Sequence, residues 1–234
     1  MKLVLFWFFQ KLDILGIKMK KLVIVTPCSR IKNIKTVFKS IDFKKNVQWI
    51  IVYDSKQSIQ KFSNNKIKEF SFFNHKSKHG NAQRNYAINY LKKLKNKNFF
   101  IYFLDDDNIL HKDFQNYIEN LHLNKLYTFD QDKMSKGHTN GKFHFIKIFK
   151  GDNPLPGKID TAQFLSDFKL IKNIKFKTLI NGDDCDGRYI QKCISLNINK
   201  YQYIPKVLCH YNYLNRKNII SLIMKLKNFI NFRS

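Results

Sequence analysis

The stretch FFIYFLDDDNIL, residues 99–110, places three consecutive aspartates directly after an apolar run. Apolar residues at every position predict a strand covered on both faces, as in a parallel sheet between helices. The carboxyl end of such a strand is where α/β proteins bind ligands. Because adjacent carboxylates repel one another unless a cation or hydrogen-bond donors offset their charge, the stretch favours an oxygen-ligated divalent metal. A helix cap made by one aspartate, with solvated neighbours, is the alternative.

Two further apolar runs predict neighbouring strands, LVIVT (22–26) and WIIVYD (49–54). Between the second and third runs, residues 80–95 have helical spacing, with Asn81 as the expected cap. This alternation over residues 22–105 predicts βαβ units and a mostly parallel, Rossmann-like sheet flanked by helices. After residue 125, three stretches predict mixed or antiparallel strands: KLYTFDQ (125–131), KFHFIKIFK (142–150) and KVLCHYNY (206–213).

The composition bounds the possible partners. The formal net charge of +26 favours contact with anions such as phosphates, nucleic acid or an acidic membrane, although a Lys-, Asn- and Ile-rich codon bias explains it equally well. The 44% hydrophobic content argues against a disordered chain. Four cysteines without CxxC spacing fit reduced thiols in a cytoplasmic protein better than disulfides or a zinc site.

Other candidate residues follow predicted strands or begin a predicted helix. Asp54 ends the second run and would accept hydrogen bonds from a nucleobase or ribose, with a turn aspartate as the alternative. Asp183 and Asp184 begin a helical pattern, where a fixed carboxylate suits a general base or, alternatively, a helix cap. His210 follows a strand as a metal or phosphate contact, or as a structural histidine.

In order along the chain, these pieces resemble the GT-A-fold glycosyltransferases that use nucleotide sugars. The D-D-D-N form is similar to the linker glucuronyltransferases, whereas the acidic pair at residues 183–184 is nearer the bacterial inverting (family 2-like) transferases and leaves the donor sugar open. The likeness covers about residues 20–213. The matching segments are VIVTPCSR (23–30), WIIVYDS (49–55), GNAQRNYAI (80–88), IYFLDDDNIL (101–110), IDTAQFLSDFKLI (159–171), NGDDCDGRYI (181–190) and PKVLCHYNY (205–213).

The resemblance implies a role for each candidate. Asp107 would bind Mn²⁺ or Mg²⁺ directly, with His210 near the metal or diphosphate. Asp184 would be the catalytic base, with Asp183 as the alternate. The implied nucleotide contacts are Pro27, Asp54, Arg84, Asp105 and Asp106. Asp160 and Gln163 would contact the donor sugar or acceptor, unless they only order a loop.

The expected organisation is a GT-A domain over residues 19–213, with a nucleotide half (19–108) and a smaller mixed-sheet acceptor half (109–213). Residues 1–18 are interpreted as an extension, a misassigned start or a short membrane-touching segment. Residues 214–234 predict a basic amphipathic helix that packs on the domain or lies on an anionic membrane.

The sequence therefore predicts a cytoplasmic enzyme, peripheral on the inner membrane face, that transfers sugar from a nucleoside diphosphate sugar, with a UDP-sugar expected, to a surface or lipid-linked glycan. No nucleic acid partner is expected. The rivals are a nucleic-acid-binding protein or metal-dependent nuclease, and a sugar nucleotidyltransferase. The last would need a glycine-rich loop after the first strand, and TPCSRIKNIK (26–35) has no glycine.

Overall fold

The computed structural model describes residues 21–54, 59–72, 80–134, 146–177 and 185–211, together with Leu214. The N-terminal extension, the acidic pair Asp183–Asp184 and the tail from residue 215 lie outside the described residues. The strands are β1 (Lys21–Cys28), β2 (Val47–Tyr53), β3 (Ile67–Ser71), β4 (Phe99–Phe103), β5 (Ile109–Leu110), β6 (Leu126–Met134), β7 (Ile146–Phe149), β8 (Phe164–Asp167) and β9 (Tyr201–Tyr211). The helices are α1 (Ile31–Lys39), α2 (Asn81–Lys92), α3 (Phe114–Glu119), α4 (Phe168–Ile171) and α5 (Cys185–Ser195).

The first half of the sheet is parallel, in the order β3-β2-β1-β4. The three predicted apolar runs form β1, β2 and β4, which confirms the α/β interpretation of this half. Their side chains alternate between two hydrophobic cores, one on each face of the sheet, and this explains why the runs are apolar at every position. All three strands point their carboxyl ends towards one edge of the sheet.

The second half of the sheet is mixed, as the sequence predicts. β8 lies between β4 and β6 and is antiparallel to both, whereas β6 and β9 are parallel. The sequence analysis missed β8 as a strand. Its four residues are all buried, so the segment shows neither alternation nor a long apolar run.

Helices cover both faces of the sheet. α1 and α3 contribute to one core, and α2, α4 and α5 contribute to the other. The predicted helix at residues 80–95 is confirmed as α2, but its cap differs from the prediction: Gly80 is the N-cap and Asn81 is the first helical residue. None of the helices in the described ranges has the length and apolar character needed to cross a bilayer.

Candidate active site

The loops that follow β1, β2 and β4 meet at the carboxyl edge of the parallel strands. Asp54 directly follows β2, and its main-chain N–H donates to the carbonyl of Cys28 at the end of β1, at 3.0 Å. Burial raises the pKa of Asp54, and the negative charge of Asp106 raises it further. Two of the predicted acids therefore lie close enough to interact at this edge, where α/β folds bind ligands.

Asp106 fastens the loop after β4 to the loop after β1. Its carboxylate is 2% exposed and accepts from the main-chain N–H groups of Ser29, at 2.7 Å, and Arg30, at 2.5 Å. The Arg30 guanidinium donates to its other oxygen, also at 2.5 Å. Because both oxygens are engaged within the protein, Asp106 organises the site, and its predicted contact with the nucleotide stays a prediction.

Asp107 lies beside the same arginine. One nitrogen of the Arg30 guanidinium is 3.2 Å from an Asp107 oxygen, and the residue is 6% exposed. Burial raises the pKa of Asp107 to about 6; Arg30 opposes this shift, and the charges of Asp105 and Asp106 add to it. The carboxyl group is therefore poised to change its charge when a cation or phosphate binds nearby.

Arg84 connects the first turn of α2 to two distant acids. Its side chain is 1% exposed, and its guanidinium lies 2.5 Å from an Asp105 oxygen and 3.4 Å from an Asp186 oxygen. Burial alone would lower the pKa of Arg84, but Asp105 and Asp186 outweigh it and hold the pKa above its ordinary value. The guanidinium also packs 5.3 Å from the centre of the Phe176 ring.

Gly80 allows α2 to begin so close to the sheet. Its φ is +73°, a conformation that side chains disfavour. A Cβ atom at this position would lie 2.6 Å from the Cβ atom of Pro27 in β1. The glycine of GNAQR fits against Pro27, and this close approach brings Arg84 to the carboxyl edge of the sheet. Pro27 therefore lies next to the site, and its predicted contact with the nucleotide stays a prediction.

Three carboxylates converge at this point. Asp105, Asp160 and Asp186 each offer an oxygen, and the three oxygens lie within 4.8 Å of one another. Burial raises the pKa of Asp160 well above its ordinary value, and Asp105 and Asp186 raise it further. Oxygen ligands of this kind suit Mg²⁺ or Mn²⁺, and a bound cation would relieve the repulsion that raises this pKa. We call these three residues the acid cluster.

Asp186 is a functional candidate to which the sequence analysis assigned no role. It belongs to the same acidic segment as Asp183 and Asp184, which lie outside the described residues. Its position in the first turn of α5 directs it towards Arg84, 102 residues earlier in the chain. Spacing within NGDDCDGRY gives no sign of which acid faces the site, since that depends on where the helix begins.

Asp160 and Gln163 form a reciprocal cap on the short 3-10 turn Thr161–Gln163. The Asp160 carboxylate accepts from the main-chain N–H of Ala162 at 2.8 Å, and the Gln163 amide oxygen accepts from that of Asp160 at 3.1 Å. The Gln163 amide nitrogen donates to two carbonyls, on β6 and β7. The contacts of Gln163 order the loop, whereas Asp160 both orders the loop and belongs to the acid cluster.

His210 lies near the end of β9, opposite Ile109 in β5. One ring nitrogen lies 2.7 Å from an oxygen of Asp132 on the adjacent strand β6. The ring of His111 is 5.3 Å away, centre to centre, and burial, followed by His210, lowers the pKa of His111. The structure therefore pairs His210 with Asp132, a partner that the sequence analysis did not select, and its role as a metal ligand stays a prediction.

No protein-family model matches the chain, and no curated protein matches it in sequence. The structure of S. aureus TarS 1-349 is similar, with 15% identity and a TM-score of 0.55 over 82% of this chain and 60% of that one. This chain therefore spans less than two thirds of that protein's length. The 4-diphosphocytidyl-2C-methyl-D-erythritol synthase of Anaerococcus prevotii is similar with 14% identity and a TM-score of 0.50, over 90% of this chain and 98% of that one. At these identities the likeness shows the fold, which is GT-A-like.

Proposed function

We propose that this chain is a metal-dependent, inverting glycosyltransferase. It would move a sugar from a nucleoside diphosphate sugar, with a UDP-sugar as the expected donor, to a hydroxyl of a growing surface glycan. The observation that carries the proposal is the convergence of Asp105, Asp160 and Asp186 on buried Arg84 at the carboxyl edge of the parallel strands. This edge is the place where a GT-A-like fold would bind the diphosphate of its donor.

The acid cluster supplies the donor set for Mn²⁺ or Mg²⁺, and Asp107 with His210 is the further set that the sequence resemblance implies. A bound divalent cation would neutralise the charge that develops on the leaving diphosphate. Arg84 holds Asp105 and Asp186 in place through its two guanidinium nitrogens. Asp106 holds the loop after β1, which includes Arg30, so that the cationic side chain lies beside Asp107.

The base would be Asp184, with Asp183 as the alternate, removing the proton from the acceptor hydroxyl as it attacks. The contact between Arg84 and Asp186 supports this assignment, because it brings the start of α5, the helix that follows Asp183 and Asp184 in the sequence, to the site. Asp54 would contact the base of the nucleotide, next to Pro27. Asp160 and Gln163 would contact the donor sugar or the acceptor.

The acceptor would be a glycan, free or linked to lipid, and the enzyme would work at the cytoplasmic side of the membrane. The basic amphipathic pattern of residues 214–234 supports a peripheral attachment. Co-sedimentation of the full chain with anionic liposomes, compared with a chain ending at Asn215, tests this attachment. Equal binding by the two chains would exclude the tail as the anchor.

A sugar nucleotidyltransferase is the second candidate. The observation in its favour is that the similarity to the A. prevotii synthase extends over 98% of that chain. The loop after β1 counts against it, because residues 26–35 contain no glycine to let a triphosphate approach the backbone. The two activities release different products: a nucleotidyltransferase releases pyrophosphate from a nucleoside triphosphate, and a glycosyltransferase releases a nucleoside diphosphate from a nucleotide sugar.

The decisive experiment incubates the full chain with a panel of nucleotide sugars and Mn²⁺, without acceptor, and measures the released nucleoside diphosphate. We expect hydrolysis of at least one donor, lost on chelation of the metal and in Asp105→Asn, but kept in Asp152→Asn, an exposed aspartate outside the site. Release of pyrophosphate from triphosphates, or thermal stabilisation by oligonucleotides and not by UDP, would reject the proposal.

A further inference from the structure

The edge of the sheet opposite the active site is defined by the strand register. Phe100 of β4 pairs with Asp167 at the end of β8, Ser166 pairs with Leu126 at the start of β6, and Leu126 pairs with Tyr201 at the start of β9. The Phe100–Asp167 pair is one residue away from the Ser166–Leu126–Tyr201 pairs along β8, so these residues form a row two residues wide at the same end of the sheet. Because β4 begins in this row and leads to Asp105 of the acid cluster, the row lies at the end of the strand opposite the candidate active site.

Lysines surround this row. The segments beside it contribute Lys93, Lys95, Lys97, Lys125, Lys169, Lys172, Lys192 and Lys200, all exposed or half-buried, and we call them the basic pole. Contacts across the row bring their segments together. Phe99, two residues after Lys97, stacks on Phe168 with ring centres 4.8 Å apart. The Lys200 ammonium group lies 3.0 Å from the side-chain oxygen of Asn124, next to Lys125.

The segments that carry the basic pole hold no acidic residue of their own, and the exposed Asp152 lies near Tyr201 at one end of the row. Segments 92–98, 121–125, 168–177 and 187–200 contain no aspartate or glutamate. Asp167 is the nearest acid in the row, but it is 3% exposed and accepts hydrogen bonds from the main chain of Asn124 and Lys169. By contrast, the opposite helical layer mixes lysines with exposed acids, as in the Lys45–Glu119 ion pair.

Two large apolar side chains project from the same pole. Leu196 is 64% exposed and Ile198 is 62% exposed, which makes them the most exposed large hydrophobic residues in the described part of the chain. Both follow α5 directly, between Lys192 and Lys200.

We propose that the basic pole, with Leu196 and Ile198 at its centre, docks on an anionic lipid surface. Lysine side chains would contact the lipid headgroups, while the two apolar side chains enter the boundary between headgroups and acyl chains. The lysine content and the exposed aliphatic pair favour lipid over nucleic acid, because nucleic-acid sites combine basic residues with exposed aromatic stacking platforms. Docking here would leave the acid cluster at the far edge, open to an acceptor that extends away from the membrane.

This docking surface depends neither on the transferase activity nor on residues 215–234. Binding of the full chain to vesicles is therefore measured directly, by co-sedimentation with vesicles of phosphatidylcholine alone and with phosphatidylglycerol added. We expect binding to the anionic vesicles that weakens as salt is raised. Lys93→Gln/Lys95→Gln/Lys169→Gln should weaken it on the order of 100-fold. Leu196→Ser/Ile198→Ser should weaken it about tenfold or more.

Matched variants separate the proposed surface from the general charge of the chain. Lys32→Gln/Lys35→Gln/Lys39→Gln removes the same charge from exposed positions of α1, and Ile148→Ser removes another exposed apolar side chain. Both should bind vesicles like the unmodified chain. The proposal is overturned if the full chain does not bind anionic vesicles, if the α1 variant loses as much affinity as the basic-pole variant, or if the basic-pole variant loses binding to an oligonucleotide but not to vesicles.

Discussion

Replacing Arg84 with methionine tests whether this buried guanidinium holds the candidate active site together. The substitution keeps a long apolar side chain against Phe176 but removes the charge that faces Asp105 and Asp186. Removing one partner of a buried ion pair costs about 3–5 kcal/mol. Because the Asp105 and Asp186 side chains are 25% and 22% exposed, water compensates part of the loss, and we expect a cost of about 3 kcal/mol.

Urea unfolding measures this cost. A loss of about 3 kcal/mol would lower the unfolding midpoint by roughly 1–1.5 M, given a slope of about 2–3 kcal/mol per molar urea for a chain of this size. Lys192→Met is the matched control, since Lys192 is exposed on α5, and it should change stability by less than about 0.5 kcal/mol. The Arg84 variant lacks a cation that faces the acid cluster, so the negative charge of Asp105 and Asp186 is less compensated. Mn²⁺ should therefore stabilise the variant more than the unmodified chain.

The interpretation of Arg84 is wrong if its methionine variant unfolds within 1 kcal/mol of the control. It is also wrong if Mn²⁺ stabilises the variant less than the unmodified chain, because that result would mean that the acid cluster does not carry the uncompensated charge.

Three further predictions concern residues around the site. Asp106→Ala should cost about 1–3 kcal/mol in urea unfolding, because it removes the buried carboxylate that accepts hydrogen bonds from the N–H groups of Ser29 and Arg30. Asp113→Ala, at a side chain that is 45% exposed, should cost less than about 0.5 kcal/mol. Burial raises the pKa of Asp107 from 3.8 to about 6, so the folded chain holds this proton more tightly than the unfolded chain does. The free energy of unfolding should therefore fall by about 2–3 kcal/mol as the pH rises from 4 to 7. Asp107→Asn should flatten that part of the pH profile. A profile that stays unchanged in Asp107→Asn would refute this assignment. Gly80→Ala should destabilise the chain more than Gly157→Ala. Both glycines have a φ of +73°, but of the two only Gly80 is packed against Pro27. Equal shifts in the thermal unfolding midpoint would show that this contact is unimportant.

The parallel half of the fold was predictable because its strands are buried on both faces. Runs such as LVIVT and FFIYF predict buried strands, whereas the cap of α2 was predicted at Asn81 and lies at Gly80. β8 was not predictable in the same way. It is a short antiparallel insertion between β4 and β6, and its position is determined by the pairing of the two halves rather than by its own pattern.

The sequence analysis selected Asp105, Asp106, Asp107 and Asp160, but it gave Asp186 no role and did not predict which partner each acid contacts. The three adjacent aspartates differ because the strand ends between them: Asp105 faces Arg84, Asp106 faces the loop after β1, and Asp107 lies against Arg30. The contact between Arg84 and Asp186 spans 102 positions and follows from the packing of α2 beside α5. No local pattern carries that information.

A titration of the full chain with Mn²⁺ in the presence of UDP, followed by the electron paramagnetic resonance signal of free Mn²⁺, tests the central claim most directly. The account predicts one tight site, weakened at least tenfold by Asp186→Asn and unchanged by Asp113→Asn. The account is contradicted if the Asp186→Asn variant binds Mn²⁺ as tightly as the unmodified chain. If only Asp107→Asn weakens Mn²⁺ binding, the metal lies on Asp107 and not on the acid cluster.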